Sequence, residues 1–202
     1  MKSILFIVAS LRQESVNKRL AAVAAQNLPE GYEATYFDIG TLPLYNDDLS
    51  GDNTPASVLA FRAAITDAAG VFIFSPEYNF AAPGVLKNAI DWASRPMFPR
   101  CSIVAKPMNV IVASVSPTNG IRAQVEIKRL WSILGGIPVP AYDFVLQSAP
   151  TRFETVDGVE TLEPVALKAL RLQMTYLQNI IEGNVAATIE KNFETFIASM
   201  KA

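Results

Sequence analysis

Two polar segments carry most of the side chains in this chain that could do chemistry. The first is Ala9-Ser10-Leu11-Arg12-Gln13-Glu14-Ser15-Val16-Asn17, directly after the apolar run Ile4-Leu5-Phe6-Ile7-Val8. The second, roughly sixty residues later, is Ser75-Pro76-Glu77-Tyr78-Asn79-Phe80-Ala81-Ala82-Pro83-Gly84, directly after Val71-Phe72-Ile73-Phe74. In the first, Ser10 and Ser15 offer hydroxyls, Arg12 a fork-shaped cation and Asn17 an amide, ahead of a helix whose amino end is electropositive. That set suits a phosphate. It is equally the chemistry of plain helix capping, with Ser15 or Asn17 as the cap and Arg12 in water.

The second segment suits a flat ring with a polar edge. Tyr78 can pack near such a ring, Glu77 and Asn79 can address its edge, and Pro76 and Pro83 stiffen the loop and lower the ordering cost of binding. The bland alternative is an ordinary strand-to-helix turn punctuated by Pro, Asn and Gly. Both segments follow a strand-like run, where open α/β sheets bind their ligands. Together they point to a flavin mononucleotide (FMN) site.

Other chemistries are set aside by what the chain lacks. It has no histidine, which removes Ser-His-Asp and Cys-His triads and the commonest metal ligand. Cys101 is the only cysteine, so neither an internal disulfide nor a CxxC pair can form, and an inert thiol is expected. The first loop lacks the Walker glycines with their Lys-Ser/Thr pair, and it lacks G-x-G-x-x-G. A net charge of −2 argues against a general nucleic-acid binder. No apolar window approaches the ~18 residues of a membrane span, and the amino terminus does not read as a signal peptide. The expected setting is the cytoplasm, with no membrane partner.

The elements that must position these loops alternate. Strand-like runs at residues 3–9, 33–38, 71–74, 108–114 and within 139–146 are interleaved with helical patterns. Helices are expected from about Ser15, from Thr54-Pro55 with threonine as cap, from Pro83-Gly84, over 121–134, over 163–182 and, after Gly183-Asn184, to the end. Residues 148–158 read as a loop. With 202 residues, half of them apolar, one domain is expected: an α/β flavodoxin-like three-layer fold over 1–202. Its five-stranded parallel sheet would run 2-1-3-4-5 with helices on both faces, and residues 183–202 would form a carboxyl-terminal helix.

The pattern Ser10-Leu-Arg-x-x-Ser15-x-Asn17-x-x-Leu20-Ala21, the block Ser75-Pro-Glu-Tyr-Asn79-x-x-x-Pro83-Gly84-x-Leu86-Lys87-Asn88-Ala89-Ile90-Asp91-Trp92, and Gly120-x-Arg122-Ala123-Gln124 resemble the NAD(P)H-dependent FMN reductase family. That family includes flavin, quinone, chromate and azo-dye reductases. The resemblance covers roughly residues 2–147. It implies that Ser10, Arg12, Ser15, Val16 and Asn17 hold the FMN phosphate end. It implies that Pro76, Glu77, Tyr78 and Asn79 line the isoalloxazine, and that Ser114 and the turn from Val115 to Gly120 approach the ring.

The resemblance further implies a two-step hydride shuttle from NADPH or NADH, through FMN, to a small-molecule acceptor such as a quinone or free flavin. The cofactor would do the redox chemistry, so no catalytic side chain is named. It also implies a homodimer or homotetramer with the helices after the second and third motifs at the interface, a role that the apolar helix at 85–93 would suit. Two departures stand out. Ala9 replaces a frequent glycine and would fit in extended backbone, and Ser116-Pro117-Thr118-Asn119-Gly120 is poorer in glycine than usual. A non-enzymatic flavodoxin-like carrier or a flavin-binding sensor is the alternative. Such carriers are usually more acidic and use a Thr-rich phosphate loop, which is missing here. Asp47-Asp48 reads as a solvated turn, and Arg62, Arg95, Arg100 and Arg152 are unranked candidates for a 2′-phosphate contact.

Overall fold

In a computed structural model, residues 1–117 and 120–199 are described, the side chains of residues 195–197 and 199 excepted. Thr118 and Asn119, part of the turn expected to approach a ring, lie outside the described residues, as does the side chain of Ile197, expected on the apolar face of the last helix. Strands β1 (Lys2–Val8), β2 (Tyr32–Tyr36), β3 (Gly70–Ser75) and β4 (Pro107–Ala113) form a parallel sheet in the order β2-β1-β3-β4. Each inner strand is an apolar run because it is covered on both faces. All six residues of β3 and all seven of β4 are buried.

Alternate strand residues feed two cores. On one face Leu5, Ile7, Ile73 and Val110 meet α2 (Ala56–Asp67), α3 (Gly84–Ala93) and α4 (Ile121–Ile133) through Phe61, Ile65, Trp92, Ile127 and Trp131. On the other, Phe6, Phe72, Phe74 and Ile111 meet α1 (Val16–Gln26) and α5 (Pro164–Glu182) through Leu20, Val23, Leu170 and Met174. The chain therefore leaves β1 toward one face and β3 toward the other. Those two strands are neighbours, paired Val8 to Phe74, so a crevice opens between their carboxyl ends. A sixth helix, α6 (Val185–Ser199), returns to the first face, where Ile189 and Phe193 join the core.

The fifth position of the sheet differs from a single strand within 139–146. It is split into two two-residue strands, β5 (Ile137–Pro138) against Pro107 and Met108, and β6 (Val145–Leu146) against Val112 and Ala113. Pro138 and Pro140 lack the N–H a continuous ladder needs, so the chain leaves the sheet between the two pieces. The Gln173 side chain of α5 donates to the Tyr142 carbonyl and holds that excursion. The expected loop at 148–158 contains a strand as well. β7 (Phe153–Val156) pairs antiparallel with β8 (Val159–Leu162) across Asp157-Gly158, both at positive φ. That dipeptide is the usual two-residue hairpin turn.

Smaller shifts are local. α2 begins at Ala56 with Pro55 at the cap position and no side-chain cap, one residue later than a Thr54 cap would give. On α3, Leu86, Ala89, Ile90, Trp92 and Ala93 are buried within this one chain, so their apolar character is used by its own core rather than left for a subunit interface.

Candidate active site

The amino end of α1 is built from short-range contacts. Ser15 caps the helix, its hydroxyl oxygen accepting the Asn17 N–H at 3.2 Å. The first turn carries no acidic side chain, and the Val16 N–H makes no hydrogen bond to any described residue. The helix thus presents an open donor and its positive end to the crevice. Ala9 is fully buried and sits outside the left-handed region, its N–H donating to the Phe74 carbonyl at 2.8 Å, so its methyl costs nothing there.

Asn17 does more than the sequence shows. Its Nδ2 donates to the Ala113 carbonyl at 3.0 Å, and its Oδ1 accepts the Ala113 N–H at 3.1 Å. The amide is 1% exposed and latches the start of α1 onto the carboxyl end of β4. Ser10 is also buried, and its hydroxyl lies 3.4 Å from the Tyr78 hydroxyl of the second loop. Arg12 is exposed at the rim.

The second loop is held from outside itself. Tyr78 and Ala81 exchange both backbone hydrogen bonds at 3.1 Å around Asn79 and Phe80, which have φ of 49° and 66°. Two positive φ values in a row define a tight turn that glycine and asparagine favour, and a phenylalanine there is strained. α4 supplies the restraint. Glu126 Oε2 accepts the Ala82 N–H at 2.7 Å, and Glu77 Oε2 accepts the Ala123 N–H at 3.1 Å.

The cap residue of α4 is Gly120, which has no side chain, and Glu77 takes over the capping role from 46 residues away. Gly120 is required by its φ of 133° and by Val145, whose Cγ1 would lie 2.3 Å from an added Cβ. Arg122 then lies over the Phe80 ring at 4.9 Å.

These loops meet in one cleft. It is lined by Ser10, Arg12, Ser15, Val16 and Asn17 from the first loop, Pro76, Glu77 and Tyr78 from the second, and Ala113 at the end of β4 with Ser114 and Val115 after it. The cleft offers about 120 Å³, room for a phosphate ester rather than for a whole drug-sized ligand. Of the residues expected at such a site, ten line the cleft, among them Val115 at the start of the expected turn. Asn79 sits one residue beyond it, in the turn. Asp47 and Asp48 do not border it; they form a separate exposed turn capped by Asn46.

The donor set fits a phosphate: hydroxyls, a guanidinium and a free N–H at a helix start, with no carboxylate from the first loop among the lining residues. Glu77 fits the other end of a flavin. Its carboxylate is 1% exposed, and its Oε1 has no hydrogen-bond partner among the described residues, since the nearest cation, Arg122, is 3.9 Å away. A buried acceptor of that kind calls for an N–H or O–H donor, and the edge of a flavin ring carries an N–H. The capping function of Glu77 and the latch made by Asn17 left no signal in the sequence, because each depends on a residue far along the chain.

Comparisons with known proteins agree with this geometry. Residues 2–151 match the family described as NADPH-dependent FMN reductase. A 2-hydroxy-1,4-benzoquinone reductase from Burkholderia is 39% identical over 147 residues, covering 73% of this chain and 75% of that protein. An NAD(P)H-dependent FMN reductase of Pseudomonas aeruginosa is 33% identical over 175 residues, covering 87% and 92%. Among solved structures, the flavoenzyme NAD(P)H:(acceptor) oxidoreductase FerB of Paracoccus denitrificans superposes with a TM-score of 0.81 at 31% identity, covering 91% of this chain and 98% of that one.

Proposed function

The chain belongs to the NADPH-dependent FMN reductase family, and from that premise we propose how its cleft works. It is an NAD(P)H-dependent flavin oxidoreductase that reduces quinones or flavins. Bound there, FMN would supply the hydride-transfer chemistry between NAD(P)H and the acceptor.

In this reading Ser10, Ser15, the Val16 N–H and Arg12 hold the phosphate. Asn17 contributes by fixing the start of α1 against β4 while lining the same wall. Pro76, Glu77 and Tyr78 would face the ring, where Glu77 would offer its Oε1 to an N–H of the ring edge. Ser114 closes the site from β4, and Asn79 shapes the turn that carries Tyr78. The observation that carries the proposal is the convergence of the two loops on one cleft, with a free helix-start donor at one end and an unpartnered buried carboxylate oxygen at the other.

The chain would act as one domain in the cytoplasm and assemble as a homodimer or homotetramer. Support for assembly comes from α4, where Ile121 and Val125 lie exposed on one face four residues apart. Light scattering of the purified protein tests it.

The functional test is the visible spectrum of the protein with FMN, first under anaerobic NADPH and then with a quinone. Bleaching of the bound-flavin band near the usual ~450 nm, and its return with each addition of quinone, is the expected result. FMN that binds without bleaching by NADPH or NADH would make the protein a carrier or sensor. No FMN binding would overturn the reading of the cleft.

A further inference from the structure

A second cavity, of about 510 Å³, lies between the turns at residues 47–54 and the start of the connector after α3, and shares no residue with the FMN cleft. Two cations line it, Arg62 from α2 and Arg95 just past α3. Arg62 Nε donates to the Trp92 carbonyl at 3.0 Å, which fixes the guanidinium beside the Trp92 ring. Its Nη2 is buried and has no hydrogen-bond partner among the described residues.

Arg95 is held by a different pair. Its Nε donates to the Tyr45 hydroxyl at 3.2 Å and its Nη1 to the Ser94 hydroxyl at 3.3 Å. The one carboxylate on the wall, Asp47, is turned toward hydroxyls. Its Oδ1 accepts from Tyr45 at 2.7 Å and from Ser50 at 3.2 Å, bonds that, with the weaker attraction of the Arg95 charge, hold its carboxyl below the usual carboxylate range, so an anion here shares Arg95 with Asp47. Leu59, Pro96 and Met97 supply an apolar wall.

A buried guanidinium N–H without an acceptor is costly, and burial also works against the charge of Arg62. An anion with several acceptor oxygens, placed between Arg62 and Arg95, relieves both. We propose that this cavity is an anion site for a phosphate monoester, distinct from the FMN phosphate cradle. The volume falls within the range of small-molecule sites, large enough for a phosphate attached to a flat body lying on Leu59, Pro96 and Met97. Free phosphate and a nucleotide phosphate share this chemistry.

The test is calorimetric titration of the FMN-loaded protein with inorganic phosphate and, separately, with 2′-AMP. With FMN bound, its own phosphate fills the first cradle; 2′-AMP can still lie on the flavin face that takes NAD(P)H, so only binding that Arg95→Gln weakens counts for the second cavity. Wild type and Arg12→Ala bind with equal affinity, and Arg95→Gln weakens binding by about tenfold or more. Arg62→Gln does the same. If that variant fails to fold because of its place against Trp92, Arg95→Gln decides alone, since its side chain is only partly buried. Tighter binding of 2′-AMP than of inorganic phosphate identifies a nucleotide as the source, and equal binding identifies free phosphate. Absence of binding by either probe at millimolar concentration overturns the proposal. So does binding that Arg12→Ala abolishes and Arg95→Gln leaves intact. The Arg12→Ala arm also separates this site from the FMN reading, which fails or stands on the flavin spectrum.

Discussion

The two loops of the cleft reach the same place by opposite means. The first is anchored by buried, short side chains: Ser15 caps its own helix and Asn17 bonds both polar groups of Ala113. The second exposes its aromatics, Tyr78 and Phe80, on a turn with two residues at positive φ, and borrows its restraint from Glu77 and Glu126 contacts to α4. The first is thus a preorganised anchor, and the second is a surface held in a strained shape. Strain kept by outside support is what a loop that must face an exposed ligand requires.

That contrast can be broken most strongly at Asn17. Asn17→Ala leaves the N–H and carbonyl of Ala113 unsatisfied in a buried place, and each such loss costs about 1–3 kcal/mol. Urea unfolding should show the largest destabilisation of the variants considered, and FMN affinity should fall with it. An unchanged unfolding midpoint would mean the latch holds nothing. Arg12→Ala probes the same loop from its exposed rim. It should weaken FMN by about 1.5–3 kcal/mol in a fluorescence titration while leaving the unfolding midpoint alone.

On the other side, Glu77→Ala removes the cap of α4 and one tie to the turn. A loss of stability of about 1 kcal/mol is expected, with weaker FMN binding as the loop loosens. If FMN affinity stays at the wild-type value, Glu77 does not meet the ring. The smallest effect is expected at Phe80→Gly. Relief of a phenylalanine at φ 66° is partly offset by loss of the Arg122 contact, for a net gain of about 0.5 kcal/mol in thermal unfolding. A clear loss instead would show that the turn is not strained.

Most of the frame was readable in the chain. The runs at Ile4–Val8 and Val71–Phe74 declare buried strands, Ser15 or Asn17 a cap, which the structure resolves to Ser15, and Pro83-Gly84 a helix start, because each signal is local. The Asp157-Gly158 turn is equally local, and a loop over 148–158 misses the hairpin that it closes. The fifth strand was harder. Its two pieces are two residues each and exist only because β4 offers partners at both ends.

Among the four arginines that composition left unranked, Arg62 and Arg95 share a wall, whereas Arg100 pairs with Glu190 and Arg152 with Glu163. The alternation of strands and helices, the two polar loops and their chemistry are written in the chain, since periodicity and capping act over a few residues. The grip of Asn17 on β4, the capping of α4 by Glu77 from 46 residues away and the convergence of two arginines arise in the folded chain alone. Those contacts depend on which strand lies beside which, and that order is set by burial of the whole sheet rather than by any local signal.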